Sequence, residues 1–171
     1  MILTLKQLHC ACVLIISSLL LSSLVVADPL LSLQQNTYIY PLQDADISSK
    51  FGMRRHPIKK LRRYHSGIDL AADSAAPIRA IAGGHVIYAD PHGGYGKLVV
   101  IKHKNGLTSH YGHCNEILVQ PGQAVLAGQL IGRVGKTGTA TGNHLHLEIR
   151  KDGKAQDPIK FFPGLVKPAK G

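Results

Sequence analysis

The chain has 171 residues, with 20 Lys and Arg against 10 Asp and Glu for a formal net charge of +10, and 44% of it is hydrophobic. That length makes one domain able to bury roughly two-thirds of its unfolded surface, and it excludes both a pair of large domains and a disordered polyelectrolyte. The absence of Trp, the 18 Gly and 9 Pro, and a charged fraction of only 18% exclude a coiled coil and point to short strands joined by many turns.

Lys6 is the only charge before an apolar run from Val13 to Val26, which ends in Val25-Val26-Ala27 before Asp28. This pattern reads as a secretory signal peptide over 1–27, cleaved after Ala27, since the run is short for a bilayer span; the alternative reading is an uncleaved anchor. Cys10 and Cys12 precede the run, so neither stands where a lipid-modified N-terminal cysteine belongs. Only Cys114 survives maturation. One thiol makes no internal disulfide, so it reads as a small buried apolar residue in an exported protein, periplasmic or elsewhere in the envelope.

Residues 28–46 show little periodicity and read as an arm or linker, with Pro41 near its end. Seven basic residues and no acidic one then fall between Lys50 and Arg63. Such a run is either a solvated loop or a docking surface for an anionic polymer, and nucleic acid is a poor partner for an exported chain. His65-Ser66-Gly67-Ile68-Asp69 follows. A spacing of four puts His65 and Asp69 on one face of a strand or a helix, where both reach a single ion.

Beyond Pro77 come short apolar runs: Ile78–Ala82, Val86–Ala89, Lys97–Lys102, Leu107–Tyr111, Glu116–Val119, Leu130–Val134 and Leu145–Ile149. Gly83-Gly84, Gly93-Gly94, Asn105-Gly106, Pro121-Gly122 and Asp152-Gly153 supply the positive-φ positions of tight turns, and Lys102–Leu107 is the clearest hairpin. No window of helical length carries a 3.6-residue apolar stripe. The fold is therefore expected to be mainly β, antiparallel sheets in a compact sandwich or barrel-like domain with little helix.

Two further histidine groupings lie on these runs. In Ser109-His110-Tyr111-Gly112-His113, strand alternation would send Tyr111 and His113 one way and His110 the other. In His144-Leu145-His146-Leu147-Glu148-Ile149, it puts His144, His146 and Glu148 on a chemical face and Leu145, Leu147 and Ile149 on a packing face. The three groupings hold more imidazoles than one metal needs. A structural zinc would be closed by four ligands and usually draws on cysteine, whereas a catalytic zinc takes three and leaves the surplus for proton transfer. There is no His-Glu-x-x-His, and Gly135-Lys136-Thr137 lacks the phosphate-loop glycine because Leu130 stands in its place.

These residues resemble the lysostaphin-like, LytM-type zinc endopeptidases over about Ile47 to Phe162. The matching stretches are Phe51-Gly52-Met53-Arg54 with His56-Pro57, His65–Ala72, Gly93-Gly94-Tyr95-Gly96, Tyr111-Gly112-His113 and Thr141–Glu148. The resemblance implies one zinc on His65, Asp69 and His146, with His113 and His144 as a catalytic pair beside the metal-bound water; which of the two is the base is left open. It implies a peptidase domain at 47–162 with a tail at 163–171, and peptidoglycan as partner. No nucleic acid is expected, nor membrane once the signal is removed. Direct D-alanyl cross-links are favoured over glycine bridges, because no wall-targeting domain follows Phe162. Cys114 replaces a more usual aliphatic residue, and His110 is an added imidazole. His56, His85, His92 and His103 read as surface or turn groups. Relatives that lose zinc ligands act as activators of other wall enzymes, but all three ligands are present here. A likeness of Val119–Gly132 to half of a biotinyl carrier lacks the modifiable lysine at its tip and reads as shared architecture.

Overall fold

The computed structural model describes residues 38–43, 45–55 and 62–162. The apolar run, the expected cleavage after Ala27, His56 and the middle of the basic segment lie outside the described residues. In chain order the strands are β1 (Asp46–Ser49), β2 (Gly52–Arg55), β3 (Arg62–His65), β4 (Ile68–Ala71), β5 (Pro77–Arg79) and β6 (Gly84–Pro91). There follow β7 (Lys97–Lys102), β8 (Leu107–Ile117), β9 (Ala124–Val125), β10 (Leu130–Val134), β11 (His144–Lys151) and β12 (Lys154–Gln156). Helix among the described residues is limited to 3-10 turns at Gly93–Tyr95, Lys104–Gly106 and Pro158–Phe161. The mainly β, antiparallel expectation holds.

Ten strands make one antiparallel sheet, ordered β1-β4-β11-β8-β7-β6-β9, with β12 on β11 and β10 linking β8 to β5, while β2 and β3 form a separate ribbon. β8 is the hub. Its first half pairs with β7 and β11, and from Cys114 onward it pairs with β10. The apolar run at Glu116–Val119 thus straddles the end of β8 at Ile117 and is not a strand of its own. The expected hairpin at Lys102–Leu107 joins β7 to β8, where the His103 N–H donates to Leu107 O at 2.8 Å.

Alternation sorts β11 as expected: Leu145, Leu147 and Ile149 are 0–1% exposed and face a core shared with Ile68, Leu70, Val99, Ile101 and Ile131. Each such side chain contributes roughly 1.5–3 kcal/mol of burial, so the register of β11 against β4 and β8 is strongly fixed. Two glycines work by close approach. A Cβ on Gly67 would sit 2.2 Å from Leu147 O, so only glycine lets the β3–β4 turn lie against β11. Neither Gly83 nor Gly84 is at the positive φ expected of the pair; a Cβ on Gly84 would meet Lys102 O at 2.3 Å, and close pairing with β7 is the constraint.

The stretch read as an arm contributes to the packing. Leu42 is 2% exposed within the core, Tyr38 and Tyr40 pack edge-on against Phe162, and Ile39 N–H donates to Ile81 O at 2.8 Å.

The alternation expected at 109–113 fails. Tyr111 points into the core at 0% exposure, yet His113 does not follow it, because β8 bulges against β7 and His113 adopts a left-handed φ of 61°. That break returns Cys114 to the core, where burial pushes its thiol up to about 12. His103 also departs from expectation, being 8% exposed and not a surface group. Its Nδ1–H donates to Gly83 O at 3.0 Å, and burial holds its pKa below the usual value. Its Nε2 lies 2.7 Å from Ser109 Oγ, and Ser109 Oγ lies 2.9 Å from the Tyr111 hydroxyl, which accepts from Ile81 N–H at 2.9 Å. Tyr111→Phe removes the only partner the structure gives this buried N–H, so it should cost about 1–3 kcal/mol of unfolding free energy, read by denaturant melts. A change below a few tenths would show the relay to be energetically idle.

Candidate metal centre and catalytic groove

His65 closes β3 and Asp69 lies in β4, so a two-residue turn brings them together, not the period of a single strand. His146 stands directly opposite Asp69 in the β4–β11 ladder. His65 Nε2 is 3.1 Å from His146 Nδ1 and 3.2 Å from Asp69 Oδ1, and His146 Nδ1 is 2.8 Å from the same oxygen. Three donors meeting this closely fit the face of a tetrahedral zinc shell, whose edges are about 3.3 Å for ligands at roughly 2.0–2.1 Å. Two imidazoles and a carboxylate could therefore hold one ion.

The remote ring nitrogens are tied down. His65 Nδ1–H donates to Lys50 O at 2.8 Å, and His146 Nε2–H donates to Glu148 Oε1 at 3.0 Å, so the facing nitrogens are presented as ligands. Glu148 has no exposure, and its Oε1 also accepts from Ser66 Oγ and from the Tyr95 hydroxyl, the latter at 2.8 Å. Arg150 closes the other oxygen, with Nε at 2.7 Å and Nη2 at 2.6 Å. Burial alone would raise Glu148, but the hydrogen bonds from His146, Ser66 and Tyr95 bring it down to about 2. Burial likewise disfavours the His146 imidazolium, yet its bonds to Asp69 and Glu148 raise it to about 9. Asp69 is depressed below the carboxylate range, against the pull of burial, by His146 and His65.

His113 and His144 join this cluster. Their ring centroids are 4.7 Å apart, the His113 ring is 5.8 Å from that of His146, and His144 Nε2 is 3.7 Å from Asp69 Oδ1. Each Nδ1–H donates to a carbonyl, Thr137 O at 2.8 Å for His113 and Gly142 O at 2.9 Å for His144, which leaves Nε2 as the basic nitrogen. Burial lowers the pKa of His113, favouring its neutral form. The five residues line a groove of about 670 Å³.

The structure therefore brings all five expected site residues together. The supporting roles of Glu148, Ser66, Tyr95 and Arg150 were not foreseen, although alternation along β11 had put Glu148 on the His146 face and extends that face to Arg150. His110 lies opposite Glu148, within reach of Thr108 Oγ1 at 3.1 Å, and burial together with Arg150 brings it down to about 4. It is not one of the converging donors. His85 and His92 are exposed, and the His92 ring meets Tyr88 edge-on and Tyr95 at a tilt.

Comparison with known proteins agrees with this geometry. The family model described as Peptidase family M23 matches residues 63–158. The chain is 44% identical over 121 residues to the DD-carboxypeptidase/endopeptidase Mpg of Neisseria meningitidis, covering 71% of this chain and 28% of that protein. It is 42% identical over 100 residues to the murein hydrolase activator NlpD of Salmonella dublin, covering 58% and 26%. The chain thus spans less than a third of either relative. The crystal structure of a zinc-containing peptidase from Vibrio cholerae superposes with a TM-score of 0.66 at 36% identity, over 69% of this chain and 37% of that one. With the matched segment carrying Asp69, His113, His144 and His146 in one groove, the chain belongs to peptidase family M23, the lysostaphin-like peptidases.

Proposed function

We propose that this chain is an exported zinc endopeptidase that hydrolyses peptide cross-links of bacterial peptidoglycan, acting on direct D-alanyl cross-links. The observation that carries this reading is the convergence of His65, Asp69 and His146, ion-facing nitrogens fixed by Lys50 and Glu148, beside two imidazoles whose Nε2 atoms are free of their carbonyl partners. His65, Asp69 and His146 would hold the metal. A bound zinc supplies Lewis acidity, lowering the pKa of a coordinated water towards 7 and polarising a carbonyl. His113 and His144 offer proton acceptance and donation at Nε2, each oriented by a backbone carbonyl, as general acid–base catalysis requires. The relative named as a DD-carboxypeptidase/endopeptidase supports the D-alanyl substrate. The relative named as a hydrolase activator supports a second reading, a wall-binding activator on the same fold.

The purified protein should carry one zinc per chain, and His146→Ala should lose it by metal analysis, because a three-ligand site cannot spare a ligand. His113→Ala and His144→Ala should keep zinc and lose about 10²–10⁴-fold in rate. Full turnover in either variant would remove that histidine from the chemical step. Glu148→Gln should weaken zinc affinity by about 10–100-fold in chelator competition, since it loosens the orientation of His146. With isolated peptidoglycan, the zinc form should convert cross-linked dimers to monomers and leave pentaglycine intact, and a chelator should stop it. Bound zinc with no release of fragments from either wall type would favour the activator.

A further inference from the structure

The two-stranded ribbon beside the groove carries an arrangement that folding alone does not favour. β2 and β3 pair with Arg54 directly opposite Arg63 and Arg55 opposite Arg62. Like charges facing across an antiparallel pair are destabilising, and a two-stranded ribbon has little stability to spare. Arg63 lies two residues before His65, so alternation puts Arg54, Arg63 and His65 on one face of the ribbon, and both arginines line the groove. Met53 and Tyr64 alternate with them, each 57% exposed, and Tyr64 also borders the groove.

The charges around the pair are one-sided. Among the residues lining the groove only Asp69 is acidic, and it is already engaged by His65 and His146. Arg54 Nη1 reaches Ser49 Oγ at 2.5 Å and is 3.9 Å from Asp69 Oδ2, with half of its side chain in solvent. Arg63 is exposed and has no acidic partner among the described residues. An anion held between the two guanidiniums converts a repulsive pair into two charge-assisted interactions.

Resting on the peptidase reading, we propose that Arg54 and Arg63 form a substrate subsite for a free carboxylate next to the scissile amide, so that the enzyme discriminates wall peptides by whether that carboxylate is free or amidated. The proximity of Arg54 to Asp69 puts this subsite at the metal end of the groove, where binding a carboxylate registers the adjacent amide against the cluster. The planar forks of both arginines suit a carboxylate, and they make it a specificity determinant more than a general attraction for anions.

The test uses muropeptide dimers joined by a direct D-alanyl amide, with the carboxylates of the diamino acid either free or amidated. Binding is measured by calorimetry and turnover by mass analysis, both on the zinc-loaded protein. The unaltered chain should bind and cleave the free form at least about tenfold better. Arg63→Ala, a change on an exposed side chain that is not itself a metal ligand, should bring the ratio close to one, through KM and not kcat. Arg63→Lys should restore part of the preference, and Arg63→Glu should reverse it. A ratio near one in the unaltered protein, or an equal loss on both dimers in Arg63→Ala, would overturn the subsite while leaving the peptidase reading intact if the dimers are cut. A carboxylate preference in binding that depends on Arg63, with neither dimer cut, would uphold the subsite and reject the peptidase.

Discussion

Glu148 holds a charge at a position without solvent contact, and a charge so placed must have its lone pairs filled and its field compensated. Ser66, Tyr95, His146 and Arg150 meet that demand together, from the β3–β4 turn, the Gly93–Tyr95 turn and β11. The carboxylate therefore does two things. It draws three separate segments to one point, and it dictates which nitrogen of His146 turns towards Asp69 and His65. Each donor lost leaves the buried charge less fully compensated in a low-dielectric setting, so the support of the site and the closure of the fold at this edge are the same interaction.

The remaining geometry comes from two local departures from regular strand. Gly67 allows the β3–β4 turn to lie on the backbone of Leu147, which sets His65 beside His146. At the other wall, β8 exchanges its partner β11 for β10, and His113 takes a left-handed backbone at the exchange. A regular strand would have carried His113 to the core side with Tyr111. The break carries it to the groove, within 4.7 Å of His144 between ring centroids. Non-glycine residues in such conformations carry a backbone cost, and their occurrence at a candidate catalytic position fits the pattern of strain held where function needs it.

Much of this was legible in the sequence because alternation along β11 has only one sensible reading. Leu145, Leu147 and Ile149 must be buried, so His144, His146 and Glu148 must share the other face. The hairpin at Lys102–Leu107 was equally plain from its Asn-Gly turn. What stayed hidden depended on tertiary partners. No local signal marks a bulge at His113, so alternation misplaced it relative to Tyr111. His103 looked like a turn residue because its burial comes from Gly83 and Ser109, brought in by sheet pairing. His65 and Asp69 were grouped correctly but for the wrong reason, since a turn and not strand period joins them. Glu148 and Arg150 lay in view on the right face, but their role is visible only once the donors converging on Glu148 are known.

We propose that the buried carboxylate network around Glu148 presents His65, Asp69 and His146 to one zinc and leaves His113 and His144 outside its shell. X-ray absorption at the zinc edge on the metal-loaded protein reads that shell directly. It should show two imidazole nitrogens and carboxylate oxygen at about 2.0–2.1 Å with no sulfur. Sulfur scattering at about 2.3 Å, or a shell of three or more imidazoles drawing in His113 or His144, would contradict it.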